Sequence, residues 1–138
     1  MSGLLVDTNV ISEARKGDKA NPGVRAFWQE TPPDQIYLAV QTVGELRCGL
    51  EIIRQRGDTR QARQLQTWLD RISSEFAGRI LDFDAECAQV WGALMARRPQ
   101  NPIDRQIAAI GLIHDLAVVT RNVEDFAGTG VQLTNPFS

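Results

Sequence analysis

The stretch LLVDTNVIS, residues 4–12, sets an aspartate directly behind an apolar run and follows it with Thr8 and Asn9. An apolar run closed by one charge has the pattern of a buried strand delivering a carboxylate to a sheet edge. Taken alone, Asp7 reads more readily as the cap of the helix that follows. Cap or chemistry then depends on whether other acids reach the same edge.

Outward from this segment, short apolar runs alternate with helical periodicity. Residues 3–6 read as a strand and 9–15 as a short helix. GDKANPG, residues 17–23, is a turn. A helix over 23–30 stops at Pro32 and Pro33, and IYLAV, 36–40, is a second strand. From Thr42, Val43, Leu46, Leu50 and Ile53 recur with the spacing of an amphipathic face. RGD, 56–58, breaks that helix, and another runs over 59–74 with Leu65, Trp68, Leu69 and Ile72 on one side. RILDF, 79–83, is a third strand, followed by a helix over 85–97. Pro102 at the first helical position, with Asn101 as cap, opens a helix that ends near His114. LAVVT, 116–120, is a fourth strand and VQL, 131–133, a fifth at an edge. This alternation predicts an α/β fold: one domain over residues 1–138, with a parallel sheet of about five strands and helices on both faces.

Composition removes several function classes. No apolar run approaches the roughly 20 residues that span a bilayer, and no basic segment precedes an apolar one at the start, so the expected compartment is the cytoplasm. Cys48 and Cys87 are too few for a disulfide framework and are not spaced as zinc ligands; both read as small buried thiols. The single histidine, His114, suits a helix C-terminus. Net charge is −2, which makes no global case for nucleic acid, yet Arg47, Arg54, Arg56, Arg60, Arg63 and Arg71 face only Glu51, Asp58 and Asp70 in that segment. Such a run is either a solvated helical face or a rim that tracks phosphates.

The acids carry the functional reading. In parallel α/β sheets ligands gather beyond the carboxyl ends of the strands. Asp7 stands at one such end, and Glu45 lies near the start of the helix after the second strand. Asp104 falls in the first turn of the helix opened by Pro102, between Ile103 and Ile107, which are expected to face the core. TRNVEDF, 120–126, follows the fourth strand and brings Thr120, Arg121, Asn122 and Asp125. Each acid alone has an ordinary capping or dipole role. Crowded together, they stay ionised only beside a cation. An oxygen-only set without histidine or cysteine favours magnesium or manganese, and a hard metal with open water positions suits phosphodiester hydrolysis.

With these segments in order, the chain resembles the PIN-domain ribonucleases, specifically the VapC/FitB-type toxins of bacterial toxin–antitoxin pairs. LLVDTNVISE, TVGELRCGL, FAGRILDFD, PIDRQIAAI, VVTRNVEDF and the final NPF carry the likeness across nearly the whole chain. The resemblance implies magnesium- or manganese-dependent endoribonuclease activity. Asp7, Glu45 and Asp104 are then the acids that hold metal and orient water. Where many members have aspartate after TR, this chain has Asn122, so either Asn122 or Asp125 is the fourth site residue. Thr8 and Asn9 aim Asp7 and, with Thr120 and Arg121, are the expected substrate contacts. The resemblance also implies an RNA substrate, a homodimer or a toxin–antitoxin hetero-oligomer, and a small antitoxin that covers the acidic groove and often offers it an arginine. The 47–72 hairpin, with Leu65 and Trp68, is a candidate docking face for that partner.

Three rival readings start from the same strand-end aspartate. A haloacid dehalogenase-type phosphatase requires a second aspartate where Asn9 stands. A receiver domain requires an acidic pair before its first helix and a late lysine, whereas the two lysines are Lys16 and Lys19. A non-catalytic PIN-like module that binds only its antitoxin or RNA is the remaining alternative; the three acids argue against it and Asn122 for it.

Overall fold

The computed structural model describes residues 3–138. Five short strands form one parallel sheet in the order β3-β2-β1-β4-β5. They are β1 (Leu4–Val6), β2 (Ile36–Ala39), β3 (Ile80–Leu81), β4 (Ala117–Val119) and β5 (Leu133–Thr134). The described residues also form six α-helices: α1 (Thr8–Ala14), α2 (Pro22–Glu30), α3 (Val40–Gln55), α4 (Thr59–Glu75), α5 (Ala85–Arg97) and α6 (Pro102–His114). The first strand is central. Leu4 registers with Ile36 on one side and Ala117 on the other.

Period-two alternation splits the core between two faces. Leu5, Ala39 and Val118 point toward α5 and α6, meeting Cys87, Leu94, Ile107 and Ile110. Val6, Ile36, Leu38 and Val119 point the other way, onto Val10, Ile11, Val24 and Ile72 of α1, α2 and α4. A smaller patch, Leu50, Ala62 and Leu69, zips the α3–α4 hairpin. The central strand is covered on both sides, which is why its apolar positions run unbroken up to Asp7.

Several local expectations need correction. No loop separates β2 from α3: the helix starts at Val40, and Ala39 supplies no side-chain cap. Glu45 therefore sits in the second turn, away from the free amides of the helix start. Asn101 holds the cap position of α6, but its backbone is left-handed (φ 48°) and its side chain makes no capping bond. Ile103 does not face the core; it is 42% exposed. Cys48 is also exposed, because Gly44, Cys48 and Ile52 form an outward stripe of α3 at four-residue spacing, while Cys87 is buried as expected. Within the 47–72 hairpin, Arg47 and Arg54 are drawn to Glu51 at 3.2 and 2.5 Å and share Gln66. Part of that basic run is thus a solvated surface network, worth little to stability.

The C-terminal residues return to α2. Asn21 Oδ1 accepts from the amides of Gly23, Val24 and Ser138, and Asn21 Nδ2 donates to the Ser138 carbonyl at 3.1 Å. A side chain at Gly23 would come within 2.1 Å of the Pro136 carbonyl oxygen, so only glycine admits this close approach.

Candidate active site

Asp7 directly follows β1 and is the N-cap of α1. Its side chain is 4% exposed. Oδ1 accepts from the Thr8 amide at 2.9 Å, and Oδ2 accepts from Thr120 Oγ1 at 2.8 Å and Asn9 Nδ2 at 3.1 Å. Burial pushes this carboxyl above the ordinary aspartate range; the three donors pull it back, and the charge of Asp125 adds to the rise. The cap and the chemical reading of Asp7 are therefore compatible. Two oxygens have about four acceptor sites between them, so three donors leave the carboxylate able to bind one thing more.

Thr8 and Asn9 work outward from this anchor. Thr8 Oγ1 donates to Glu45 Oε1 at 2.6 Å, joining α1 to α3, and lies 3.2 Å from the hydroxyl of the buried Thr42. Asn9 Oδ1 accepts from the Arg121 amide at 3.0 Å, holding the turn after β4. Arg121 lays its guanidinium over the Phe137 ring, 4.9 Å from the centroid. Asn122 is exposed, its amide donating to Thr120 Oγ1 at 3.0 Å, and its side chain caps nothing. Asp125 follows in the short 3-10 turn Val123–Phe126, which is pinned by the buried Phe126.

Asp104 stands in the first turn of α6. Burial first, then the charges of Asp7, Asp125 and Glu45, push it up to about 6, against the opposing charge of Arg105. Beyond burial, the charges that act on Asp104 mark the convergence of these acids. Four carboxylates from β1, α3, α6 and the turn after β4 share one field at the carboxyl edge of the sheet. Among the described residues, no three His, Cys, Asp or Glu side chains are gathered tightly enough to grip an ion directly. The donor chemistry nevertheless fits magnesium or manganese. Such ions keep several waters and need only one or two direct carboxylates.

Sequence reading passed over Thr42 and Arg105, both buried. Arg105 had a legible signal: it shares one helical face with Ala108 and Ala109, which are fully buried. Beside the acids, a cleft of about 300 Å³ runs along α1, α3 and α4. Thr8, Glu45, Leu65 and Trp68 line it, so the docking face expected on the hairpin is contiguous with the site.

Residues 4–130 match the PIN domain family. The chain belongs to the PIN-domain family. Within it, the chain is similar to the VapC ribonuclease Y4jK of Sinorhizobium fredii, 32% identical over 97% of each chain. It is also similar to Toxin FitB of Neisseria gonorrhoeae, 31% identical over 97% of this chain and 98% of that one. The crystal structure of FitAcB from the same organism superposes with a TM-score of 0.85 at 32% identity, covering 96% of this chain and 97% of the other. A toxin–antitoxin complex from Klebsiella pneumoniae gives a TM-score of 0.70 at 25% identity over 99% of each chain. These relatives place the PIN domain in the VapC/FitB branch, and its five-stranded parallel sheet is the fold they share.

Proposed function

We propose that this PIN domain, one catalytic unit over residues 1–138, is a magnesium- or manganese-dependent endoribonuclease acting as the toxin of a toxin–antitoxin pair in the cytoplasm. The observation that carries the reading is the convergence of Asp7, Glu45 and Asp125 on the half-buried Asp104, whose carboxyl is pushed up to about 6 by burial first and then by their charges. Carboxylates that repel in this way form a ready site for a hard cation.

Asp7 and Asp104 are the metal holders. Asp7 offers its remaining acceptor capacity from a fixed rotamer, since Thr120, Asn9 and the Thr8 amide leave it no freedom to turn. Glu45, exposed and steadied by Thr8, is placed to hold metal through water and to orient the attacking water. Asp125 adds the fourth negative charge; Asn122, uncharged and facing solvent, serves the turn in preference to the ion. When bound, the divalent ion acidifies a water and neutralises charge building on the scissile phosphate. The exposed Arg121, at the same strand edge, is placed to meet an RNA phosphate, as guanidinium forks do.

The partner follows from the relatives: a small antitoxin that covers the acidic edge, reached through the adjoining Leu65–Trp68 cleft, in a homodimer or a toxin–antitoxin hetero-oligomer. Purified, antitoxin-free protein should cut RNA in magnesium or manganese and stop on chelation with EDTA. Its expression should arrest growth, with relief from the neighbouring small reading frame. Cleavage that persists at full rate in EDTA would contradict the metal mechanism.

A further inference from the structure

Arg105 is 3% exposed. No carboxylate lies within ion-pair distance of its guanidinium; among the described residues the ion pairs are those of Lys16, Arg47 and Arg54. A buried cation without a direct counter-ion is costly unless its donors are met and an opposite field surrounds it. Hydrogen bonds at one guanidinium nitrogen and the field of the acids offset that cost here. Nη1 donates to the Gln100 carbonyl at 2.8 Å and, more weakly, to the Asp125 carbonyl at 3.4 Å. The surrounding field is that of the acids.

These two acceptors lie on the two segments whose spacing the site depends on. Gln100 belongs to the loop that launches α6, just before the left-handed Asn101, and so fixes where Asp104 emerges. Asp125 belongs to the 3-10 turn after β4. Trp91 Nε1 secures the same launch point from α5, donating to the Pro102 carbonyl at 3.1 Å. Phe126 and Ile107 belong to one apolar core that joins the two segments below. It fixes their depth but lacks the direction that a hydrogen bond imposes.

We propose that Arg105 is a positioning residue: its guanidinium bridges the backbone of the α6 launch loop to that of Asp125 and so sets the separation of Asp104 and Asp125 for metal. The proposal rests on the metal-dependent reading above. It also accounts for an arginine where an apolar residue would fill the space at less cost. A permanent cation behind the acids weakens their pull on a metal ion, so weaker manganese binding by Arg105→Met is a result that loss of positioning explains and loss of charge does not.

Lysine at this position keeps the charge, but its ammonium stops a bond short of Nη1 and lacks the planar fork. The test compares wild type with Arg105→Lys and Arg105→Met. Manganese affinity is titrated by electron paramagnetic resonance, kcat and KM are measured on one RNA, and melting is followed in EDTA. Both variants should bind manganese roughly tenfold more weakly and turn over roughly tenfold more slowly, as for loss of an outer-sphere partner, with KM for RNA unchanged. A variant that melts earlier in EDTA yet keeps wild-type manganese affinity and kcat would show a merely structural arginine and overturn the proposal. So would wild-type behaviour of Arg105→Lys. Should neither variant fold, nitrogen NMR of the wild-type guanidinium decides: hindered Arg105 signals with and without magnesium support the bridge, and free rotation overturns it. Wild-type protein that neither binds manganese nor cuts RNA would instead overturn the functional reading itself, and this proposal with it.

Discussion

Thr120 Oγ1 donates to Asp7 Oδ2 at 2.8 Å, tying the end of β4 to the end of β1 across the floor of the acid cluster. Neither residue is accessible: Thr120 is fully buried and Asp7 nearly so. The bond is one of three that oppose the effect of burial on the Asp7 carboxyl.

Removing it by Thr120→Val strips a buried carboxylate of a donor. A hydrogen bond to a charged group contributes about 1.5–3 kcal/mol, so urea unfolding at pH 8 should show a loss of that order. The pH dependence has a definite sign. Losing the donor raises the folded pKa of Asp7 further, which penalises the ionised form and spares the protonated one. The cost should therefore be greatest at pH 8 and shrink as pH falls toward 4. An equal loss at both pH values would mean that Thr120 acts through packing alone.

Asp104, raised from 3.8 to about 6, gives the opposite kind of variant. Its raised folded pKa means that the native state holds a proton which the unfolded chain releases, so metal-free stability falls as pH climbs from about 4 to about 6. Asp104→Asn removes the charge and should melt higher than wild type at pH 8 in EDTA. Allowing for screening at this half-exposed site, roughly 3 °C is expected. Near pH 4 the two should melt together. A lower melting temperature at pH 8 would show that Asp104 is a structural anchor and not a strained acid.

The tail gives a test away from the acids. In Gly23→Ala the new methyl would meet the Pro136 carbonyl oxygen at 2.1 Å, a backbone contact that cannot be relieved by a rotamer change. Overpacking of this kind costs about 1–3 kcal/mol. Melting should fall accordingly, and the Phe137 platform under Arg121 should be displaced. Unchanged melting would mean the tail detaches freely and contributes little.

Much of this was legible in the sequence because it followed from periodicity. The strand runs at Leu4–Val6 and Ala117–Val119 are buried on both sides, so their apolar pattern announced both strand and parallel sheet. The placement of Asp7 and the 120–125 turn followed from the rule that chemistry collects at strand ends. What stayed hidden was decided by three-dimensional neighbours. Ile103 looks like a core residue by type, yet the launch of α6 turns it outward. Cys48 sits on an outward stripe that its hydrophobicity does not reveal. Arg105 was masked because charge implies surface, and only its shared face with Ala108 and Ala109 hinted otherwise. Thr42 was masked by its size, since nothing in the sequence links it to Thr8. The RGD break between the two hairpin helices was plain, but the absence of any loop before α3 was not, because an apolar run into a helix carries no punctuation.

If the acids at the strand ends hold a catalytic metal, Asp104→Asn removes one of its holders. Cleavage of a defined RNA by wild type and Asp104→Asn should be measured side by side in manganese, with melting curves on the same preparations. The variant should be folded, more stable without metal at pH 8, and without detectable cleavage. A folded Asp104→Asn that cuts RNA at the wild-type rate would contradict the metal mechanism.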